Sequence, residues 1–486
     1  MSFSSFESSH LLAVLPEFLL VVLGAVVLGL DLAWPESRKR ALGLTAAGGL
    51  GVIMAVALVF SRPSGVGEPL IFGGMLRNDF AAFFFRIMFI FSGLIVSLLA
   101  VDSPGVESRG DFYAIVIAAV FGMNFMAYSA DLIMLYLAIE TTSITGYLLA
   151  GYLHHDDKSA ESGVKYFLFG AFTSTVMLYG FSLLYGFTGQ TNLYAVGAAL
   201  TSGAAPIGAA VMAVLLVLVG LGFKVAAVPF HFWTPDVYEG APTPVTAFIS
   251  VASKAAGFAA LTRVLLAVFP ELQGYWQPLI AVVATLTMTL GNTIALAQRN
   301  IKRLLAYSSI AQAGYALVGL ASISEAGVAA VAFYLAMYTV TNLAAFGVVI
   351  VASRVIGSDE IADYAGLSRR APGLALVFLI AFLSLGGMPP LAGFFGKFFL
   401  FAAAVQQGLV WLAVIGVLNS IVGLYYYLIV LKVVYLYRSE KDNEKIATPR
   451  AYAVALAVCV IGILLLGTWA GPWIGWATAA ARTLFG

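Results

Sequence analysis

The sequence predicts an all-α membrane protein with about 14 transmembrane helices. Hydrophobic residues make up 61% of the 486 residues and charged residues only 10%, whereas soluble domains average about 45–50% apolar and about 25% charged residues. Apolar runs long enough to cross a bilayer recur along the whole chain, and the basic residues of the loops between them are distributed very unevenly. These observations indicate an integral membrane protein.

Each long apolar run predicts one helix, because about 20 apolar residues cover the thickness of the hydrocarbon core. The first run is too long for the apolar part of a signal peptide and lacks a small-residue cleavage site, so it is itself a span. In chain order, the predicted spans lie near 11–31, 41–60, 79–100, 112–128, 130–152, 163–187, 207–235, 244–269, 275–298, 303–322, 327–353, 372–406, 409–436 and 451–471.

The basic residues of the loops support this number of spans. When successive loops are assigned to alternate sides, about 16 of the 25 lysines and arginines fall on one side and three on the other, and six lie inside spans. Lysine and arginine are enriched in cytoplasmic loops, so both termini are predicted on the outer, periplasmic side. A bacterial plasma membrane is the expected location, because nothing in the sequence resembles a transit peptide.

Two of the predicted spans are too long and contain helix breakers. The segment 207–235 contains Pro229, and the segment 372–406 contains Gly-Gly-Met-Pro-Pro at 386–390. Proline removes a backbone donor and clashes with the preceding turn, so each segment is predicted to be two half-helices joined by unwound backbone. Paired breaks in the two halves of a chain are typical of a transport site.

The breaks also predict two inverted repeats of five helices inside one integral membrane domain, although no literal sequence repeat is visible. The predicted parts of this domain, residues 1–486, are amino-terminal helices in 1–110, a first repeat in 112–269, a second repeat in 275–436 and a carboxy-terminal helix in 451–486.

Four lysines and one glutamate lie inside spans that are otherwise apolar. A charged side chain at the centre of a bilayer costs roughly 2.5–3.5 kcal/mol on insertion scales, so such residues usually mark a path for charge. Burial favours the neutral form of a lysine and a nearby carboxylate favours the charged form, so an acid and a lysine together can bind and release a proton. The five residues are Glu140, Lys165, Lys224, Lys254 and Lys397.

We predict that these residues transport protons or ions, with Glu140 pairing with Lys224 or Lys165. His231 follows the first break, and its ordinary pKa suits a relay between a lysine and water. Simpler interpretations stay open: Lys165 can extend to the headgroups, Glu140 can be a structural ion-pair partner, and His231 can bond to backbone. The three consecutive tyrosines 425–427 are interpreted as helix packing.

Composition excludes several other classes of function. The net charge of +1 and the absence of a basic run in a polar context argue against nucleic acid as a partner. A single cysteine, Cys459, excludes a disulfide framework and an iron–sulfur cluster held by this chain alone.

Several segments resemble a known family. GFKVAAVPFHFWTPDVYEGAPTPVTAF at 222–248 resembles the signature of the antiporter-like membrane subunits of respiratory complex I, which are similar to subunits of multi-subunit sodium/proton antiporters. Collinear matches occur at 131–152, 159–193, 300–315 and 386–401. Within the family, the sequence resembles the N type in three segments, TPDVYEGAPTP, GFTGQTNL and LPEFLLVVLGAVVLGLDL.

The resemblance implies a role for each buried residue. Glu140 would be the acid of the fifth helix that pairs with Lys224 of the seventh. Lys254 would be the connecting lysine of the eighth helix, and Lys397 the lysine of the twelfth, on the exit side. Lys165 matches the sixth-helix lysine, and His231 lies in the family's Pro-Phe-His motif.

The tenth helix departs from some relatives. Ser308, Ser309 and Gln312 stand where those relatives place a histidine or lysine, so the relay through this helix is expected to depend on water.

By the same resemblance, the chain would be a proton-translocating subunit of NADH:quinone oxidoreductase, a translocase, without a redox centre or cofactor of its own. NADH, FMN, iron–sulfur clusters and quinone would belong to partner subunits, and the expected partners are antiporter-like and small membrane subunits together with the bilayer. Two alternatives stay open: a subunit of a sodium/proton antiporter, and a non-conducting assembly subunit.

Overall fold

The computed structural model of the protein describes residues 8–63 and 70–485, and most of these residues are helical. Helices α1–α11 are Ser8–Ala13, Leu15–Ala33, Glu36–Lys39, Ala41–Phe60, Phe80–Ala100, Gly110–Tyr128, Leu132–Ala150, Asp157–Thr188, Leu193–Thr201, Ile207–Lys224 and Trp233–Gly240. Helices α12–α22 are Thr243–Phe248, Lys254–Val268, Gln273–Ala295, Ile301–Ala321, Glu325–Ile356, Leu367–Arg370, Pro372–Gly386, Ala392–Gln406, Val410–Leu436, Arg450–Thr468 and Ala470–Phe485. A short hairpin joins strands β1, Leu70–Ile71, and β2, Leu76–Arg77.

Polar side chains define where many of the helices begin. An Asp, Asn or Ser placed just before a helix accepts hydrogen bonds from the otherwise unpaired amides of the first turn. Six helices start in this way, at Asp79, Asp131, Asp156, Asn192, Asn300 and Ser324.

The number of membrane spans agrees with the sequence prediction. In the part of the chain that the structure describes, 13 helical segments are long and apolar enough to cross a membrane. Two shorter apolar helices, α18 and α19, follow each other and together make the fourteenth crossing. The prediction of an all-α membrane protein with about 14 spans is confirmed.

Both predicted helix breaks are present. Helix α10 ends at Lys224, and the chain is non-helical until α11 begins at Trp233. Helix α18 ends at Gly386, and α19 begins at Ala392. Each break contains a cis peptide bond before a proline, Val228–Pro229 and Pro389–Pro390. The two inverted repeats and the domain boundaries drawn from them stay predictions.

Ion pairs between loops identify one end of the bundle, which we call the basic face. Arg40 pairs with Asp102 at 2.6 Å, Lys302 with Asp359 at 2.9 Å, and Arg369 with Asp442 at 3.3 Å. These residues come from loops that the sequence assigns to the same, strongly basic side. The alternation of the loops is therefore consistent with the contacts between them.

The opposite end of the bundle, which we call the hairpin face, consists of β1, β2, α9 and α22. Isolated β-bridges join Leu76 to Ser129 and Asp131 to Asn192, and Arg482 of α22 bonds to Glu325 at 2.8 Å. The location of both termini on the outer side stays a prediction, and residues 1–7 and 486 lie outside the described residues.

The carboxy-terminal region differs from its prediction. The expected single helix within 451–486 is two helices, because α21 ends at Thr468 and α22 starts at Ala470. Trp476 of α22 packs edge-on against Phe83 and Phe84 of α5, with ring centroids 6.2 and 5.6 Å apart. Helix α22 therefore packs its aromatic face on the bundle at the hairpin face.

The centre of the bundle is formed by α12, α13, α15 and α16. In the most apolar 18-residue stretch of α15 and of α16, 94% of the residues are buried. Both broken helices contact this centre: α11 packs on α15, and α19 packs on both α15 and α16. The polar side chains of α15 are therefore placed between the two breaks.

Candidate functional site

Lys224 is the last residue of α10, directly before the first break, and its side chain is buried. Its Nζ donates a hydrogen bond to Ser143 Oγ of α7 at 3.0 Å. Glu140 lies one turn away on the same helix and accepts a hydrogen bond from Ser174 Oγ of α8 at 2.5 Å. Lys224 is therefore bonded to the turn of α7 that carries Glu140.

The predicted pairing of Glu140 with Lys224 is not a direct contact in this structure. Among residues 8–63 and 70–485, the ion pairs closer than 4 Å do not include Glu140. Two serine hydroxyls hold the two charges instead. A hydroxyl can both donate and accept a proton, so each of the two groups is bonded to a side chain able to carry one.

Lys165 lies apart from this pair. Its side chain is 37% exposed, and its Nζ is 2.6 Å from Asp236 and 2.7 Å from Glu161. Arg303 also bonds to Asp236, at 3.1 Å. Lys165 thus reaches an ion-pair network at the basic face and does not pair with Glu140. This position agrees with the simpler interpretation that Lys165 extends towards the headgroups.

That network shifts the titration of its acids. Burial raises the pKa of Asp236, but hydrogen bonds from Lys165 and Arg303 lower it by more, so the pKa lies below its ordinary value. Glu239 shows the same balance, because the bonds from Arg303 and Lys158 outweigh its burial. Both carboxylates are therefore charged at neutral pH.

Lys254 starts α13 immediately after a five-residue π-helical turn, Ile249–Ser253. Its buried Nζ donates to the backbone oxygen of Ser309 at 2.7 Å and to Ser309 Oγ at 2.5 Å. The hydroxyl of Tyr338 donates to the same Oγ at 2.8 Å. A π-helical turn adds one residue to a helix and is frequent at functional sites, and here it directly precedes the residue that reaches α15.

Lys397 lies on α19, just past the second break, and is buried. Its Nζ donates to the carbonyl oxygen of Gly386 at 3.4 Å and lies 4.6 Å from the centre of the Tyr315 ring. The Tyr315 hydroxyl accepts a hydrogen bond from Asn292 at 3.1 Å. The cation is therefore held by the end of the broken helix and by an aromatic face.

Polar side chains of α15 occupy the space between Lys254 and Lys397. Gln312 donates to the carbonyl of Leu385 at 3.3 Å and to the Tyr427 hydroxyl at 3.2 Å. Tyr427 also shares a short hydrogen bond with Ser308, which adjoins Ser309, the partner of Lys254. Leu385 adjoins Gly386, whose carbonyl accepts from Lys397. Hydrogen bonds thus connect Ser308, Tyr427, Gln312 and Leu385 in series. One end of this series adjoins the partner of Lys254, and the other end adjoins the partner of Lys397.

His231 lies in the first break with its side chain buried. Within the described part of the chain, no hydrogen bond joins its ring to Glu140 or to any of the buried lysines, and Nδ1 lacks a partner there. Its predicted place in a relay stays a prediction.

Sequence reasoning singled out Ser308, Ser309 and Gln312 of α15 but missed the hydroxyls of Ser143, Ser174 and Tyr427. Ser143 and Ser174 looked like ordinary helix residues, and Tyr427 was assigned to packing together with its neighbours. Tyr425 is 61% exposed, but Tyr427 is buried and bonds to Ser308 and Gln312. The available signal was the spacing of polar residues on α15, which places Ser308 and Gln312 one turn apart.

Two further arginines inside spans have structural partners. Arg86 makes two hydrogen bonds to the carboxylate of Glu17, at 2.8 and 2.9 Å, and Arg263 binds Asp79 at 2.7 and 2.9 Å. Bidentate pairs of this kind hold both charges in a fixed geometry. Across residues 8–63 and 70–485, no group of three or more His, Cys, Asp or Glu side chains is arranged to hold a metal ion.

Comparisons with known proteins reveal close relatives. Residues 129–423 match the family described as NADH:quinone oxidoreductase/Mrp antiporter, TM. The chain is 43% identical to NADH-quinone oxidoreductase subunit N of Moorella thermoacetica over 98% of this chain and 99% of the relative. It is 42% identical to NAD(P)H-quinone oxidoreductase subunit 2 of Thermosynechococcus vestitus, over 94% and 90%.

Solved structures give the same result. A chain of respiratory complex I from Thermus thermophilus with bound aureothin aligns with a TM-score of 0.79 and 34% identity, over 95% of this chain and 98% of that one. A chain of the Mrp complex from Dietzia sp. DQ12-45-1b aligns with a TM-score of 0.84 at 22% identity, over 98% and 97%. The second similarity concerns the fold alone.

Proposed function

Because the chain belongs to the NADH:quinone oxidoreductase/Mrp antiporter family, we propose that it is the N-type proton-translocating membrane subunit of NADH:quinone oxidoreductase, respiratory complex I. The observation that carries the proposal is the row of buried lysines, Lys224, Lys254 and Lys397, set between two broken helices. Full-length similarity to N-type subunits favours this function over a role in a sodium/proton antiporter.

The chain contributes proton translocation to an oxidoreductase complex. In this proposal, NADH, FMN, iron–sulfur clusters and quinone are bound by partner subunits, and the neighbours of the chain in the bilayer are other antiporter-like and small membrane subunits. The complex resides in the bacterial plasma membrane, with the basic face towards the cytoplasm because basic loops favour that side.

The first step takes place around Lys224. A negative charge close to a lysine favours its protonated form. Lys224 donates to Ser143, which lies one turn from Glu140 on α7, and Ser174 of α8 donates to Glu140. Quinone reduction in the complex would alter this arrangement by a conformational or electrostatic signal. Weakening the influence of Glu140 then favours release of the proton from Lys224.

The released proton would pass to Lys254 and across α15. Lys254 already donates to Ser309, and the hydroxyls of Ser308 and Tyr427 with the amide of Gln312 continue towards the second break. Bound water would complete the path between neighbouring groups. Lys397 receives the proton and passes it to the outer side.

Lys165 and His231 have secondary roles in this proposal. Lys165 is held by acids at the basic face, where protons are taken up from the cytoplasm. His231 is buried in the break that follows Lys224, where an imidazole can donate and accept protons.

The test uses the tagged full-length chain, purified in mild detergent with whatever assembles with it. We expect a large assembly that contains flavin and iron–sulfur clusters and transfers electrons from NADH to quinone. In that assembly, reconstituted in vesicles, Lys224→Ala should lower the number of protons moved per electron. Lys432→Ala removes an exposed lysine of α20 and should leave that number unchanged.

Other outcomes would overturn the proposal. An assembled Lys224→Ala complex with an unchanged proton-to-electron ratio would exclude proton transfer through Lys224. Purification without redox partners, together with sodium-dependent proton flux in the absence of NADH, would identify a sodium/proton antiporter instead.

A further inference from the structure

A groove beside the basic face combines three arginines with an apolar wall. It lies between the start of α4, the end of α5 and the start of α21, and has a volume of about 770 Å³. Arg38, Arg40 and Arg450 line its upper part. None of its lining residues belongs to the proton path described above.

The arginines of the groove carry an excess of positive charge. Arg40 pairs with Asp102 at 2.6 Å. In the part of the chain that the structure describes, no carboxylate lies within 4 Å of the side-chain nitrogens of Arg38 or Arg450, and the groove lining holds no Asp or Glu. Two guanidinium groups therefore face the groove without an acidic partner among the described residues.

The lower wall of the groove is apolar and open. Leu44 of α4 is 51% exposed and Val454 of α21 is 54% exposed, and both line the groove together with Leu98 of α5. Leu44 and Val454 each lie one turn inside a membrane-spanning helix. The groove thus changes from cationic to apolar at the depth where headgroups give way to acyl chains.

We propose that this groove binds an anionic phospholipid, with the lipid phosphate between Arg38 and Arg450 and an acyl chain along Leu44 and Val454. Guanidinium groups match the oxygens of a phosphate in bidentate geometry. Basic pockets between membrane helices on the cytoplasmic side suit anionic headgroups. A zwitterionic phospholipid carries its own compensating cation, and a free phosphate gains nothing from the apolar wall.

The test uses the full-length chain in its purified assembly, incubated in detergent with phosphatidylglycerol that carries a photoreactive acyl chain. After illumination, mass spectrometry of peptides locates the label. We expect labelling of the α4 and α21 segments that line the groove. In Arg38→Gln/Arg450→Gln the affinity should fall about twenty-five-fold, because each basic residue at a membrane surface contributes about fivefold.

A matched double variant controls for charge. Arg109→Gln/Arg438→Gln removes two exposed arginines of the basic face outside the groove and should retain the labelling. Equal labelling by photoreactive phosphatidylcholine, or unchanged labelling of Arg38→Gln/Arg450→Gln, would overturn the proposal. Loss of labelling on addition of excess inorganic phosphate would also overturn it, because the site would then recognise a free anion and not a lipid.

Discussion

At the residue scale, each buried lysine is held by a different kind of partner. Lys224 bonds to a serine hydroxyl, Lys254 to both oxygens of Ser309, and Lys397 to a carbonyl and an aromatic face. None of these partners carries a formal charge. Such partners stabilise a protonated lysine by hydrogen bonding without fixing it in an ion pair, which suits the proton release that we propose for these residues.

The first prediction concerns Ser309, which is the hydrogen-bond acceptor for Lys254. Ser309→Ala removes the Oγ that accepts from Lys254 and Tyr338 but leaves the backbone oxygen in place. A hydrogen bond to a charged group contributes about 1.5–3 kcal/mol, so we expect proton-coupled turnover to fall by about tenfold or more. The measurement is proton pumping by the assembled complex in vesicles.

Ser92→Ala is the matched control for that prediction. Ser92 is equally buried, but its hydroxyl bonds to Met88 of its own helix at 2.8 Å. The control complex should pump normally. Normal pumping by Ser309→Ala as well would show that Lys254 does not use this hydroxyl.

The second prediction separates the ring of Tyr315 from its hydroxyl. Tyr315→Phe keeps the face below Lys397 and loses the hydroxyl that accepts from Asn292, whereas Tyr315→Leu loses the face. A cation over an aromatic ring gains about 0.5–2 kcal/mol, so Tyr315→Leu should reduce the proton-to-electron ratio and Tyr315→Phe should retain it. Phe333→Leu, which removes a buried ring of α16, controls for lost packing, and equal ratios in all three variants would contradict the assignment.

At the element scale, the sequence predicted the spans and both breaks because they depend on local chemistry. The length of an apolar run determines whether that run spans the membrane, and the prolines at 229, 389 and 390 interrupt the helices in which they lie. The sequence could not predict that Lys254 meets Ser309, because this contact depends on the rotation of α13 relative to α15. A single π-helical turn at Ile249–Ser253 changes that rotation without leaving an apolar or proline signal.

The single carboxy-terminal helix was predicted wrongly, because α21 and α22 are separate helices, and the pairing of Glu140 with Lys224 stays a prediction. The segment after Trp469 contains a proline and several glycines, which favour the end of a helix, yet packing of Trp476 on α5 stabilises a further helix. The pairing of an acid with a lysine follows from charge alone. In the folded chain, Ser174 donates a hydrogen bond to Glu140, and Ser143 accepts one from Lys224.

The third prediction concerns the ion-pair network that connects α8, α11 and α15 at the basic face. Lys165 and Arg303 hold the pKa of Asp236 below its ordinary value despite its partial burial, so the ionised form stabilises the fold. This stabilisation is complete above the ordinary pKa of about 3.9 and is lost as the pH falls through the lowered value. Asp236→Asn should therefore cost about 1 kcal/mol at pH 7, and the difference from wild type should shrink below about pH 4.

The measurement is the unfolding temperature of the purified assembly as a function of pH. Asp363→Asn removes an exposed acid of the same face and should have little effect at any pH. A difference between Asp236→Asn and wild type that does not depend on pH would mean that the side chain acts through packing and not through its charge.

At the scale of the whole molecule, the distribution of charge predicts the orientation in the membrane. The basic face should be cytoplasmic and the hairpin face periplasmic. Thr201→Cys at the end of α9 and Lys441→Cys in the loop before α21 place exposed thiols on opposite faces, and the native Cys459 is buried. A membrane-impermeant maleimide added to intact cells should label only Thr201→Cys, and the reverse pattern would invert the topology.

The last prediction concerns the side of the molecule on which Glu140 lies. Glu140 is only partly buried and belongs to a stripe of α7 whose other members face outward, with Leu137 and Ile144 being 54% and 53% exposed. A carboxylate facing lipid at this depth would cost several kcal/mol, so another membrane subunit should cover the stripe. Leu137→Trp should therefore weaken assembly of the complex, whereas Ile461→Trp, at an equally exposed position of α21 far from Glu140 in sequence, should be tolerated. The recovery of partner subunits with the tagged chain measures both effects, and equal recovery would place Glu140 against lipid or water instead of protein.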